Sequence, residues 1–449
     1  MESSARESAL KIIQRTIRQG GYPNILLGNA LSDSRFSTED RALVTRLVYG
    51  VLENKAYLDW VIQNYSRVKE SRISPWVYDI LRLSVFQLLF MDRIPPFAVV
   101  NEGVELTKKY AGKKAAGFVN AVLRSIIRDP GRTKPPARES DPALYISIKY
   151  SHPKWMVEDW IKRFGEEFTE DLCRANNETP GMTIRANTLK TNREELADRL
   201  QRQEFKVQNG RYSDAALLVE DGAGIFETAA YREGLFYVQD ESSMLAVEVL
   251  DPKPGRLMVD VCSAPGGKAT YAAQLMKDQG RIIARDISES KLALVEENCK
   301  RLGINCVETE VFDALKTDPS MEGKADYVLV DAPCSGVGII RRKPDIKWKK
   351  EREHYKTLAQ MQGKILRNAA ALLKPGGYLV YSTCTIMPEE NHDVVMGFLK
   401  DNPDFRLCNF SMLLPEALAG EDTKKGYLQL FPNIHGTDGF FISKMERIR

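Results

Sequence analysis

Two apolar runs of this 449-residue chain end on a cysteine: "YVLVDAPCSGVG" carries Cys334 and "YSTCTIMPEEN" carries Cys384. Each cysteine stands beside Pro, Ser, Thr or Gly, where a buried strand would give way to a turn. A thiol there beside a methyl donor would suggest attack on an unreactive carbon. Carbon 5 of a pyrimidine is such a carbon. A thiolate adding to carbon 6 makes carbon 5 enamine-like and able to take a methyl group. Loss of the carbon-5 proton and expulsion of the thiol complete the reaction, so one hard step becomes two easier ones. The thiolate is the nucleophile, so its environment must favour it. Asp331, near Cys334, is placed to hydrogen-bond the base and to donate a proton at ring nitrogen 3. Residue types alone leave open which thiol attacks. A free cysteine is also an ordinary small core residue, which is the expectation for Cys173, Cys299, Cys306 and Cys408.

The methyl donor is suggested by the carboxylates. Asp260, Asp286, Asp313 and Asp331 close successive apolar runs. In a parallel α/β sheet, ligands bind at the C-terminal ends of strands. After Asp260 comes "DVCSAPGGKAT", where Gly266 and Gly267 allow a tight turn and close approach to a ligand at a helix N-terminus. The stretch is not a P-loop, because Cys262 stands where that pattern needs its first glycine and Ala269 where it needs Ser or Thr. G-x-G-x-x-G is absent too, and Asp260 would repel a pyrophosphate. A cation suits Asp260 better. Asp286 is placed to accept from both hydroxyls of a ribose, and Asp313 to face an adenine edge. Ribose, adenine and a positive centre without phosphate describe S-adenosylmethionine. Any one of these aspartates alone reads equally well as a helix cap or a solvated loop.

Three parts must position these residues. Residues 1–128 look all-helical, with amphipathic runs such as "ESALKIIQRTI", "DRALVTRLVYGVLENKAYLD" and "SPWVYDILRLSVFQLLF", the last opening on Ser74 and Pro75. They hold no Cys or His and carry 19 Lys and Arg against 12 Asp and Glu, a difference of +7 within a whole-chain charge of +3. That excess fits either phosphate contacts or a solvated surface. Residues 129–142 are proline-rich and read as a linker. Residues 143–238 mix helical and strand patterns and read as a small α+β unit. From 239 to 449, strands alternate with helices, which predicts a Rossmann-like α/β domain with a largely parallel sheet.

Composition narrows the classes. No apolar run reaches the roughly 20 residues of a membrane span, and "MESSARESAL" lacks a signal-peptide core. The seven cysteines show no paired spacing, which predicts reduced thiols in the cytoplasm. No Cys-x-x-Cys pair and only four histidines occur, so no metal is expected. A monomer is expected.

"DVCSAPGGKAT", "DAPCSGVGIIRRKPDIKW", "YSTCTIMPEEN" and "HGTDGFF" resemble the motifs of the NOL1/NOP2/Sun RNA cytosine-5 methyltransferases. "VQDESSMLA" resembles the segment leading into that domain. "DRALVTRLVYGVLENKAYLD" and "FVNAVLRSIIR" resemble a NusB-type RNA-binding domain. The combination is similar to the members that methylate one cytosine of 16S ribosomal RNA. The resemblance implies Cys384 as nucleophile, Cys334 as the residue assisting product release, and Asp331 beside them. DNA cytosine-5 enzymes attack with a Pro-Cys thiol, so the family decides what residue types left open. It also implies a cofactor loop of Cys262, Ser263, Ala264, Pro265, Gly266, Gly267 and Lys268, with Asp286, Asp313 and Asp331 as further contacts. The usual "CAAPGGKT" reads "CSAPGGKA" here.

"RRKPDIKWKKEREHYK", following Cys334, is dense in cations around Trp348 and Tyr355, which would suit phosphate contacts and base stacking. The target base must leave its stack to reach a thiol. A tRNA cytosine-5 methyltransferase shares the catalytic motifs, but the N-terminal helical domain argues against it. A non-catalytic NusB-like RNA-binding factor is opposed by the presence of both thiols and Asp331.

Overall fold

Serines start three of the N-terminal helices in the computed structural model, which describes residues 4–32 and 36–449. Ser4, Ser37 and Ser74 each accept an N–H of the first turn of α1 (Ala5–Gln19), α3 (Thr38–Glu53) and α5 (Pro75–Phe90). With α2 (Pro23–Leu31), α4 (Lys55–Tyr65), α6 (Pro96–Ala111) and α7 (Lys113–Arg128) they form the helical N-terminus. In α5 every residue from Val77 to Gln87 is buried, so this helix is the centre of the bundle. A Cβ on Gly50 of α3 would lie 2.0 Å from the Phe86 ring, so only glycine allows α3 to cross α5 there. The charges inside α5 are paired. Arg82 donates to both oxygens of Asp59 at 2.6 and 2.8 Å and to Asp79 at 2.7 Å.

The chain divides into two compact units, one reaching to Glu178 together with Ile340–Lys350, the other Thr179–Ile339 with Glu351–Arg449. Residues 143–238 are thus shared. Their helices Pro142–Lys149, Lys154–Phe164 and Glu166–Ala175 belong to the first unit and their strands to the second. The proline-rich stretch from 129 runs along α4, whose Trp60 and Asn64 side chains donate to the carbonyls of Lys134 and Arg132 at 3.0 and 3.1 Å.

The segment 340–350 corrects an expectation. Lys347 and Trp348, read as RNA contacts, cap the C-terminal end of α3, whose last carbonyls have no partner within the helix. Trp348 Nε1 donates to the Leu52 carbonyl at 2.6 Å, and Lys347 Nζ donates to the Glu53 carbonyl at 2.9 Å and to Asn177 Oδ1 at 3.3 Å. Lys349 Nζ donates to the Gly21 carbonyl at 2.9 Å. Lys347 is fully buried, and Tyr355, also expected to stack on bases, is buried too.

The second unit holds two sheets. β1 (Met182–Ala186), β2 (Val207–Asn209), β3 (Ala216–Val219) and β4 (Phe236–Val238) form an antiparallel sheet in the order β2-β3-β1-β4. The larger sheet comprises β5 (Arg256–Asp260), β6 (Gly280–Asp286), β7 (Val307–Val311), β8 (Ala325–Asp331), β9 (Leu373–Thr383), β10 (Phe405–Leu407), β11 (Tyr427–Leu430) and β12 (Phe440–Arg447). The order β9-β8-β5-β6-β7 is parallel, as the alternation of strands and helices predicted. β12 then pairs antiparallel with β9, and β10 and β11 with β12. Successive residues alternate between two cores. Met258, Ile282 and Leu329 face one, with helices Glu241–Leu250 and Glu289–Leu302; Val259, Ile283 and Val330 face the other, with helix Arg352–Ala371. No helix among the described residues is long and apolar enough to cross a membrane.

Burial pulls the Lys347 amine down to about 7. An unfolded lysine keeps its proton to about 10.4. Between these values the unfolded state holds one more proton, so stability rises with pH. Stability measured by urea titration should therefore increase from pH 7 to about 9, and Lys347→Met should flatten that rise.

Candidate active site

Parallel register sets the site. Asp331, the last residue of β8, lies opposite Ser382 of β9. Ser382 Oγ donates to Asp331 Oδ1 at 2.9 Å, and Lys268 Nζ donates to Asp331 Oδ2 at 2.7 Å. Burial works against the Lys268 charge, but Asp331 outweighs it and the ammonium pKa is raised. Both Asp331 oxygens therefore accept.

The two chains running on from these strands bring the thiols together. Cys334 Sγ lies 3.1 Å from Cys384 Sγ. The contact with Cys384, and burial after it, hold the Cys334 thiol well above its ordinary pKa. The two thiols are within hydrogen-bond reach of each other, and either sulfur can donate. The loops are locked behind the sulfurs. Gly338 N–H donates to the Cys384 carbonyl at 3.1 Å, and Gly439 N–H donates to the Gly338 carbonyl at 2.8 Å. A Cβ on Gly338 would lie 1.9 Å from the Gly439 carbonyl oxygen, so the backbones meet only because both residues are glycine. This accounts for the glycine of "HGTDGFF".

The loop from Cys262 to Lys268 leaves β5 and enters the helix Gly267–Leu275. Gly266 caps it in the left-handed region, φ +95°, and packs on Val295, which a Cβ would approach to 2.9 Å. Ser263, Ala264 and Pro265 form the turn, closed by Gly266 N–H on the Ser263 carbonyl at 2.7 Å. The Cys262 thiol is pushed far up by burial and by nearby carboxylates, so it is inert. Asp260 is fully buried, and neither of its oxygens has a hydrogen-bond partner among the described residues; the same holds for Ser263 Oγ. Burial, with Asp331 adding to it, raises Asp260 to about 7. An unpartnered buried carboxyl is costly unless a donor or cation meets it, and the positive methionine end of S-adenosylmethionine would do so. Asp286 and Asp313 follow the same sheet edge, each holding its own turn through one oxygen, on Ser288 N–H and Leu315 N–H at 3.0 Å. These residues fit the expected cofactor.

One residue of this region escaped the sequence reading. Arg185 of β1 is fully buried with no carboxylate among its hydrogen-bond partners. It donates to the Gly267 carbonyl at 2.7 Å, to Thr270 Oγ1 and Gln274 Oε1 at 3.1 Å, and to Gln239. Its guanidinium lies 4.6 Å from the Tyr271 ring centroid. Burial lowers its pKa to about 10, which leaves it charged at neutral pH. A single arginine in "MTIRANTL" gives no sign of this role; only the packing of the small sheet on the cofactor loop does.

Comparison with known proteins gives the family of the chain. Residues 247–446 match the model for the 16S rRNA methyltransferase RsmB/F, residues 3–128 the NusB family, and residues 152–225 the ferredoxin-like domain of RsmF/B-like methyltransferases. The chain is 39% identical over 448 residues to the probable ribosomal RNA small subunit methyltransferase B of Bacillus subtilis, covering 99% of each. The chain belongs to this methyltransferase family. The crystal structure of PH0851 covers 99% of each chain at 28% identity, with a TM-score of 0.81. That of NSun6 from Pyrococcus horikoshii with SFG covers 66% of this chain and 98% of its own at 26% identity, with a TM-score of 0.59. The family's architecture is thus a NusB domain, a ferredoxin-like domain, and a C-terminal methyltransferase domain.

Arg185→Leu should unlatch the cofactor loop. It removes the donor that Thr270 Oγ1, Gln274 Oε1 and Gln239 share, and one of the donors on the Gly267 carbonyl, which keeps the Thr270 hydroxyl, so stability should fall by about 2 kcal/mol after the relieved burial of charge is deducted. Hydrogen exchange at Gly267–Thr270 should quicken, while exchange in the helical N-terminus stays unchanged.

Proposed function

We propose that this protein methylates carbon 5 of one cytosine in 16S ribosomal RNA, with S-adenosylmethionine as donor and a covalent Cys384 adduct at carbon 6. The observation that carries the reading is the 3.1 Å approach of Cys334 to Cys384 beside an aspartate held by Lys268. S-adenosylmethionine, when bound, supplies an electrophilic methyl group. Asp260 and the Cys262–Lys268 loop would hold it, with Asp286, Asp313 and Asp331 as further contacts, and the SFG of the NSun6 structure supports a ligand of that type. The RNA substrate rests on the likeness to the probable ribosomal RNA small subunit methyltransferase B of Bacillus subtilis and on the NusB match. The basic helical N-terminus, net +7, supplies phosphate contacts. The protein acts as a monomer in the cytoplasm.

The residues divide the work as follows. Cys384 Sγ adds to carbon 6. Negative charge builds on ring nitrogen 3, where Asp331 delivers a proton drawn from Lys268. Carbon 5, now enamine-like, takes the methyl group. The carbon-5 proton is then lost to a base, the ring-nitrogen-3 proton returns through Asp331 to Lys268 as the carbon 6–sulfur bond breaks, and Cys334 gives its proton to the departing Cys384 sulfur. The 3.1 Å approach lets one sulfur pass a proton to the other, which supports this division of roles.

Bisulfite sequencing of 16S ribosomal RNA from a deletion strain should lose one protected cytosine. The intact gene should restore it, and a Cys384→Ala gene should not. On a denaturing gel with labelled RNA and S-adenosylmethionine, Cys334→Ala should accumulate a slow covalent band, whereas Cys384→Ala and the double variant should give none. The opposite pattern would exchange the two roles. Asp286→Ala should weaken S-adenosylmethionine binding at least ~10-fold in calorimetry, the loss of roughly one charge-assisted hydrogen bond; unchanged affinity would remove Asp286 from the cofactor site.

A further inference from the structure

We infer that Glu390 is a positioning residue that keeps Cys334 against Cys384 during product release, an inference that rests on the roles proposed above for the two thiols. Glu390 is fully buried. Its Oε2 accepts from Ser335 N–H at 2.8 Å and from Gln362 Nε2 at 3.0 Å, and its Oε1 accepts from Thr385 Oγ1 at 3.3 Å. Ser335 directly follows Cys334, and Thr385 directly follows Cys384. Their hydroxyl oxygens lie 2.9 Å apart. Gln362 Nε2 also donates to the Pro333 carbonyl at 2.9 Å. The backbone on both sides of Cys334 and the residue after Cys384 therefore converge on one carboxylate.

The chemistry of the clamp needs that carboxylate. An ionised carboxyl only accepts, and all three of its neighbours can donate. Burial pushes Glu390 up, and the bonds from Ser335, Gln362 and Thr385 pull it back. A glutamine in its place turns one oxygen into an NH2 group. That group meets either Ser335 N–H and Gln362, both donors, or Thr385 Oγ1, which already accepts from Met387 N–H at 3.3 Å and lies 2.9 Å from Ser335 Oγ; in both orientations the bonds from Ser335 and Gln362 lose their charged acceptor.

The clamp bears unequally on the two thiols. Cys384 directly follows Thr383, the last residue of β9. Its own carbonyl accepts from Gly338 N–H, and Thr383 Oγ1 donates to Asn391 Oδ1 at 2.5 Å. Cys334 is three residues beyond the end of β8, and its flanking peptides are held through Glu390 and Gln362. Loosening the clamp frees Cys334 more than Cys384. Attack should survive, and the proton delivery that ends the cycle should fail. Tyr381 OH holds the Glu390 carbonyl at 2.6 Å, so the backbone stays anchored when only the side chain changes.

The test compares full-length Glu390→Gln with Cys334→Ala and the parent, using labelled RNA and S-adenosylmethionine. Glu390→Gln is expected to transfer methyl in the first turnover, to lose at least ~10-fold in steady-state turnover, and to accumulate the covalent band. Gln362→Leu, which keeps the carboxylate and one of its two N–H donors, should do the same more weakly. It decides by the same criteria if Glu390→Gln does not fold. If Cys334→Ala stalls but the clamp variants turn over without a band, the Glu390 inference is overturned and the thiol roles stand. Equal loss of attack and release in folded clamp variants also overturns it, because a merely structural residue would behave so. If Cys334→Ala itself does not stall, the thiol roles fail and the inference falls with them.

Discussion

The parallel pairing of β8 with β9 is the constraint on which the site depends. It sets Asp331 opposite Ser382, and the chains running on from these strands then meet as Cys334 and Cys384. A slip of one residue would turn Asp331 to the other face of the sheet and separate the sulfurs. The register is pinned from both faces, because alternate residues of these strands enter two different cores. It is pinned again at the end by the glycine-to-glycine contact between Gly338 and Gly439, which lets the last strand brace the loop after Cys334.

Around that register the second unit handles its ionisable groups in different ways. Lys268 and Asp331 pair with one another. Glu390 is balanced by three neutral donors. Arg185 is spread over neutral acceptors and aromatic faces. Among the described residues, Asp260 is the buried carboxyl with neither oxygen in a hydrogen bond of good geometry, Ser263 and the Cys262 N–H only easing its charge. A buried charge is tolerated where hydrogen bonds replace lost water, so the one carboxyl without them marks where a positive ligand belongs.

The excursion of residues 340–350 shows that a charge run can have a purely architectural use. The first unit buries Lys347 on the carbonyl end of α3 and lays Trp348 beside it. A cationic or N–H donor there satisfies carbonyls that the helix itself leaves open and opposes the negative end of its dipole. Cations and aromatics mixed along a chain look the same whether they await RNA or a helix end.

Much of this molecule was legible from one dimension. The helix start at Ser74 was visible because a cap acts on a residue three along, whereas the cap at Ser4 was not read from the sequence. The α/β domain was visible because strands and helices carry different hydrophobic periods. The strand-end aspartates and both cysteines stood out because turn residues follow apolar runs, and family resemblance supplied their roles. The tertiary structure alone decided the rest. The 3.1 Å sulfur contact, the Lys268–Asp331 pair and the Glu390 clamp join residues 50, 63 and 55 positions apart. Arg185 reaches the cofactor loop across 82 positions, and Lys347 reaches α3 across 294. Local sequence encodes what neighbouring residues do to the backbone. It carries no mark of which distant donor will meet a buried acceptor, because that pairing exists only once the sheets and helices have packed.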